Sequence, residues 1–239
     1  MSEIVVVPGT TTPQLGLIVD STEPITLRQD TPESSVIATG SNLADTIVAA
    51  SVAASIAVNI DGEAGDDFLG GAALADTIAG GNGSDQIVGN LGNDRLTGGA
   101  GADTIEGNAG ADRIDGGVGN DEIEPGAGRD IITTGAGRDI IRIDTIRGGV
   151  DRITDFAKQD TIEISQDLVR GSGLQIGKLQ ATDFQAVQSI RDLDDDEAAK
   201  IIYERRTGFV YYNRDNGRDV KLLQLDRNLN ISAADFEIF

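Results

Sequence analysis

From Gly62 to Arg142 the chain repeats every nine residues: six small or polar positions ending in Asp, then an aliphatic between two variable residues. Rows such as GGNGSDQIV (80–88), GGAGADTIE (98–106) and GGVGNDEIE (116–124) show it best. The eighth position is Leu69, Ile78, Ile87, Leu96, Ile105, Ile114, Ile123, Ile132 and Ile141. The sixth is Asp67, Asp76, Asp85, Asp94, Asp103, Asp112, Asp121, Asp130 and Asp139. A single aliphatic centred in three residues is a very short strand with one inward side chain. Glycine reaches positive φ at low cost and Asp bonds local backbone, so the other six positions read as a turn. Strand, turn, strand and turn close one lap of a coil, two rows to the lap. Each row then stacks on the row two further along, at roughly 4.8 Å. The aliphatics form two inward ladders, and the Asp residues two columns at the turns.

The flanks carry weaker patterns. Residues 1–39 hold short β-like runs (Ile4–Val7, Leu17–Val19, Ile25–Leu27) and are expected to cap the first open edge. Residues 40–48, GSNLADTIV, are a degenerate row with Asp45 and Ile47 in phase. The next nine, AASVAASIA, keep Ile56 but place Ala54 where Asp belongs, and Val58–Asp61 then break the register. After Ile141 the nines are read as ending. Alternation of Ile162 and Ile164 predicts a strand, and IIYERRTGFVYYN (201–213) predicts a hairpin turning through Arg205–Gly208. The expected organisation is an N-terminal β cap (1–39), a roll (40–147, with degenerate rows at 40–61 and regular ones at 62–142) and a β-rich C-terminal capping region (148–239).

Composition narrows the chemistry. Net charge is −21 and the pI is about 4.1, which argues against nucleic acid and anionic membrane as partners. Apart from Phe68, every aromatic lies at or beyond Phe156, so the roll's core is aliphatic and the last third packs differently. No run approaches the apolar length of a transmembrane helix, and MSEIVVVPGTTTPQ has neither the basic start nor the apolar stretch of a secretory leader. There is no Cys and no His, which excludes the usual zinc, copper and iron sites.

One aliphatic per row returns less than the entropy lost in ordering a glycine-rich nonapeptide, and stacked carboxylates repel. A cation between successive Asp residues turns that repulsion into ligation. The donors are hard oxygens in a flexible loop, which suits Ca²⁺ better than Mg²⁺.

These rows resemble the RTX (repeats-in-toxin, haemolysin-type) calcium-binding proteins. The resemblance implies a parallel β-roll, all-β throughout, with several Ca²⁺ ions held between the turns of rows n and n+2. It pairs each Asp with the one two rows on, from Asp67/Asp85 to Asp121/Asp139. It completes the shells with backbone carbonyls at Gly65, Gly80, Asn82, Gly83, Gly89, Leu91, Gly92, Gly98, Ala100, Gly101, Gly107, Ala109, Gly110, Gly116, Val118 and Gly119. Leu74, Pro125 and Thr134 depart from the family's glycines and put the sites using those turns in question. GGVDRITDFAKQDTIEIS (148–165) resembles the segment that closes such rolls, with Asp151, Asp155 and Asp160 as ligands of one terminal ion or as turn caps. The ending ISAADFEIF resembles the uncleaved export region read by type I secretion machinery, which implies a secreted, extracellular or cell-surface protein.

Other motifs fare less well. GAGRDI (126–131 and 135–140) lacks the strand–loop–helix setting of a phosphate loop. The carboxylates recur too regularly for a glycosidase pair. DRNLNISAADFE (226–237) spaces acids like an EF-hand but has Ile231 where that loop needs glycine, and Asp192–Glu197 reads as a solvated turn. No catalytic residue is identified. The expected role is non-enzymatic, structural or adhesive. The alternatives are the export and folding module of a larger toxin or hydrolase, or a calcium sensor or buffer.

Overall fold

The computed structural model describes residues 4–5, 16–18, 25–28, 35–40, 42–49, 57–170, 173–189, 200–213 and 219–239. Two sheets face each other across the aliphatic core, and successive rows alternate between them. One sheet runs through Thr46–Val48, Phe68–Gly70, Gln86–Val88, Thr104–Glu106, Glu122–Glu124, Ile140–Ile143 and Thr161–Ile164. The other runs through Ala57–Asp61, Thr77–Asn82, Arg95–Ala100, Arg113–Val118, Ile131–Ala136 and Asp151–Ile153. All pairs within these two series are parallel, because every lap winds the same way. This is a parallel β-solenoid of about eight turns.

The eighth-position side chains are the core. Ile78, Leu96, Ile114 and Ile132 stack in register in one sheet, and Leu69, Ile87, Ile105, Ile123 and Ile141 in the other, all fully buried. Phe68, the roll's one aromatic, sits on the outer surface.

Two register expectations need correction. Upstream, Ile60 pairs with Ile78 and Val58 donates its N–H to Asp76 Oδ1 at 2.7 Å. Val58 and Ile60 therefore hold the sixth and eighth positions, and the extra residues fall ahead of Val58. Ala54 and Ile56 lie outside the described residues. Downstream, the nines do not end at Ile141. After a three-residue insert, Asp151/Ile153 and Asp160/Ile162 supply two further rows, with Ile153 stacked on Ile132 and Ile162 on Ile141. Both corrections have one physical cause: inter-lap hydrogen bonds choose the row that continues the ladder, not the first aliphatic in phase.

The ends extend the same sheets. Ile4–Val5, Gly16–Ile18 and Ile25–Arg28 are strands, as is Ser35–Thr39, which sequence reading missed; all pair parallel with the next lap. At the other end Ile201–Glu204 and Phe209–Tyr212 form the expected hairpin. Val220–Gln224 then pairs antiparallel with Phe209–Tyr212 and parallel with Asp151–Ile153, closing one sheet. Phe236–Ile238 pairs with Thr161–Ile164 in the other, and Gly177–Lys178 pairs antiparallel with Phe236–Ile238 at that sheet's edge. Phe236 is fully buried and stacks on Phe184 at 5.3 Å. Residues 226–237 form no helix–loop–helix: a short turn of 3₁₀ helix, Ala233–Asp235, is capped by Ser232. The acidic run 192–197 lies outside the described residues.

Candidate metal centre

The Asp columns are built from backbone upward. Each sixth-position N–H donates to Oδ1 of the Asp one lap on: Asp67 to Asp85, Asp76 to Asp94, Asp85 to Asp103, Asp94 to Asp112, Asp103 to Asp121, Asp112 to Asp130 and Asp121 to Asp139, at 2.7–3.0 Å. Asp45 begins one column by donating to Asp67. Asp130 to Asp151 and Asp139 to Asp160 finish the two columns. Sequence reasoning had the columns but not this use of one oxygen per carboxylate.

The other oxygen is different. Oδ2 of Asp67, Asp85, Asp94, Asp103, Asp112, Asp121, Asp130 and Asp139 is buried and accepts no hydrogen bond. A buried carboxylate oxygen without a donor is costly unless a cation meets it. Beside it lies a second oxygen. A Cβ added at Gly89 would stand 2.7 Å from Asp94 Oδ2 and 2.9 Å from the Gly107 carbonyl oxygen, so both atoms converge on the bare Cα. The same arrangement recurs at Gly62, Gly80, Gly98, Gly107 and Gly116, whose neighbours are the Asp of the same row and the first-position carbonyl one lap on. In these rows glycine holds the first position because a side chain has no room there, whereas Pro125 and Thr134 hold it in the rows of Asp130 and Asp139.

The remaining expected carbonyls divide by position. Those of Asn82, Ala100, Ala109 and Val118 accept the N–H of Gly65, Gly83, Gly92 and Gly101 one lap back. Leu91, in the same position, forms a parallel bridge with Ala109. At the fourth position Gly83, Gly92, Gly101, Gly110 and Gly119 have positive φ, and each Cα lies against the fourth-position carbonyl one lap back. Among the described residues the first-position carbonyls of Gly80, Gly98, Gly107, Gly116, Pro125 and Thr134 lie next to an unpartnered Oδ2, whereas that of Gly89 lies next to Asp76 Oδ2, which Ala72 already holds.

Asp76 departs from its column. Its Oδ2 accepts the N–H of Ala72 at 2.5 Å, in the row where Leu74 replaces glycine. The three late acids also separate. Asp151 ends the column of Asp130, whereas Asp160 ends that of Asp139. Asp155 caps the turn by accepting the N–H groups of Thr134 and Gly135 at 2.8 and 2.9 Å. Asp160 Oδ2 accepts from Ala157 N–H at 2.8 Å. Asp151 and Asp160 thus end different columns, while Asp155 and Asp160 meet at the Thr134 hydroxyl.

Electrostatics agree with the geometry. Burial pushes the carboxyls of Asp67, Asp103, Asp112 and Asp139 up to about 6 and that of Asp94 up to about 7, against the lowering by the donated N–H. Burial also raises Asp76, Asp85, Asp121, Asp130, Asp151 and Asp160.

A family model, the RTX calcium-binding nonapeptide repeat, matches four copies at residues 58–78, 70–105, 88–123 and 119–142. These residues are RTX calcium-binding repeats. Residues 58–142 thus form a calcium-binding β-roll, and their donor set of carboxylate and carbonyl oxygens fits that ion. No curated protein matches the chain. Among solved structures it is similar to the AlgE6R3 subunit of the Azotobacter vinelandii mannuronan C5-epimerase, at 23% identity over 69% of this chain and 78% of that one. The TM-score is 0.35, and no argument rests on that likeness. No helix among the described residues is long and apolar enough to cross a membrane.

Proposed function

We propose that this chain is a secreted calcium-binding β-roll with a non-enzymatic, structural or adhesive role outside the cell or at its surface. The observation that carries the metal reading is the set of buried, donorless Oδ2 atoms, those of Asp67, Asp85, Asp94, Asp103, Asp112 and Asp121 each beside a first-position carbonyl one lap on. Ions between laps are assigned to Asp67, Asp85, Asp94, Asp103, Asp112, Asp121, Asp130 and Asp139. Carbonyls of the Gly80, Gly89, Gly98, Gly107 and Gly116 positions complete the shells, with those of the third and fourth turn positions. Asp76 is assigned a latch, since Ala72 already holds its Oδ2.

Bound calcium supplies positive charge between carboxylates that the chain cannot neutralise itself. The roll therefore folds where calcium is abundant and stays open where it is scarce. That dependence suits export through a type I machine, with residues 148–239 as capping and export region and residues 1–39 as the opposite cap. The reading as an export and folding module of a larger toxin or hydrolase shares this mechanism and differs only in what precedes the roll.

A calcium titration of the chelated chain, followed by circular dichroism and calorimetry, tests the reading. The expected result is a cooperative gain of β signal with uptake of several ions, at the roughly 0.1–1 mM concentrations of extracellular modules. Full β signal in excess chelator, with no calcium heat, would sink it. Saturation near micromolar calcium would favour a sensor or buffer instead.

A further inference from the structure

The roll's two outer faces carry opposite charge in matching places. On one face Arg95 and Arg113 stand directly opposite each other on neighbouring parallel strands, both exposed. On the other face Glu106 and Glu124 stand directly opposite each other in the same way. Like charges so placed on a sheet are destabilising. Within the chain the acidic pair is offset only in part, by the charge of Arg142, which acts to lower the Glu124 carboxyl. Among the described residues no ion pair involves Arg95, Arg113, Glu106 or Glu124, although Asp115 lies on the arginine face. On the acidic face Arg142 is committed to Glu122 and to Glu163, the latter at 2.7 Å. Burial and then Asp144 and Glu106 raise the Glu124 carboxyl, the mark of a crowded acidic face.

We infer that a second copy of this chain relieves both pairs, its Glu106/Glu124 face docking on the Arg95/Arg113 face of the first. The spacing is matched by construction. Both pairs are one lap apart, so both repeat at the same roughly 4.8 Å rise. The two faces point in opposite directions from one core, which makes the contact heterologous. Copies joined this way leave a free face at each end and extend as an open stack rather than closing as a dimer. The inference rests on the calcium-loaded state proposed above, because ions in the Asp columns lower the repulsion between copies of a chain of net charge −21.

Sedimentation velocity on the calcium-loaded full chain tests it across a concentration series, at about 20 mM and about 500 mM added salt. Screening lengths there are roughly 20 Å and roughly 4 Å. At low salt the average mass should at least double with concentration and continue past the dimer, and high salt should return it to the monomer. The double variants Arg95→Glu/Arg113→Glu and Glu106→Lys/Glu124→Lys should each remain monomeric alone, and their equimolar mixture should regain association. The milder Arg95→Gln/Arg113→Gln covers the case in which a reversal does not fold. Wild type monomeric throughout at low salt, a folded reversal variant that self-associates like wild type, or a mixture of folded variants that stays monomeric overturns the inference. The calcium midpoint by circular dichroism, measured for wild type and folded variants at dilutions where all are monomeric, should agree within about twofold. A chain that folds without calcium sinks the metal reading instead, so the two failures are distinguishable.

Discussion

The backbone N–H of Asp85 donates to Oδ1 of Asp103 at 2.9 Å, and Asp103 repeats the bond to Asp121 one lap on. Each carboxylate thus divides its work. Oδ1 stitches laps together through neutral donors, while Oδ2 lies buried without a donor and is the atom that the proposed function gives to calcium. The column is at once a piece of backbone hydrogen bonding and a row of ligand atoms, and substitutions can separate the two.

At Asp103, replacement by Asn keeps an acceptor for the Asp85 N–H and removes the charge. The calcium midpoint is expected to rise severalfold with little loss of stability at saturating calcium. Asp103→Ala removes both, leaving a buried N–H unsatisfied at about 1–3 kcal/mol more. Calcium titration and urea melts of the two variants side by side check the separation; equal behaviour of Asn and Ala would contradict it.

Asp76→Asn provides the contrast. Because Ala72 N–H already meets its Oδ2, this change should leave the calcium midpoint within about twofold of wild type, on the rule that a satisfied oxygen has little left to give. A shift as large as that of Asp103→Asn would place an ion at Asp76 after all.

Acid should act in opposite directions on the chelated and the loaded chain. The raised carboxyls, at about 6 to about 7, mean that the metal-free fold holds protons which the unfolded chain has released. Their contribution to stability is fully present below the unfolded value near 4 and is lost as pH rises through about 6 to 7. Calcium needs the same groups ionised. The chelated chain should therefore gain β signal as pH falls toward about 4.5, and the calcium midpoint should rise roughly tenfold between about pH 7.5 and about pH 5.5. Circular dichroism at each pH checks both.

Gly101→Ala strikes the backbone rather than the ligands. Gly101 has φ of 146°, and an added Cβ would run into the carbonyl of Gly83 one lap back. The conformation alone costs about 1–3 kcal/mol, and the collision adds to it. A urea melt at saturating calcium should show the loss, since no ion compensates for steric overlap.

Phe236→Ala tests the closing strand. The ring is fully buried, stacked on Phe184, in a strand paired with Thr161–Ile164. Loss of about 3–5 kcal/mol is expected by denaturant unfolding, the usual range for a buried Phe truncated to Ala. A loss under about 1 kcal/mol would mean that the terminal strand does not hold the roll's end.

The nine-residue spacing was enough to place Leu69 through Ile141 inside, the Asp residues in two columns and glycine at the turns, because a strict period leaves only one way to coil. It was not enough at the ends. Ile56 and Ile60 both fit an aliphatic phase, and only the bonds from Val58 to Asp76 and from Ile60's strand to Ile78's chose between them. Likewise Asp151 and Asp160 lie nine apart in plain view, yet their membership of separate columns depends on Asp130 and Asp139 one lap away. The division of each carboxylate into a stitching oxygen and a waiting one belongs to the same class. Local pattern determines what a residue can do, but hydrogen bonds between laps, eighteen or more residues apart, decide which of its atoms are already spent.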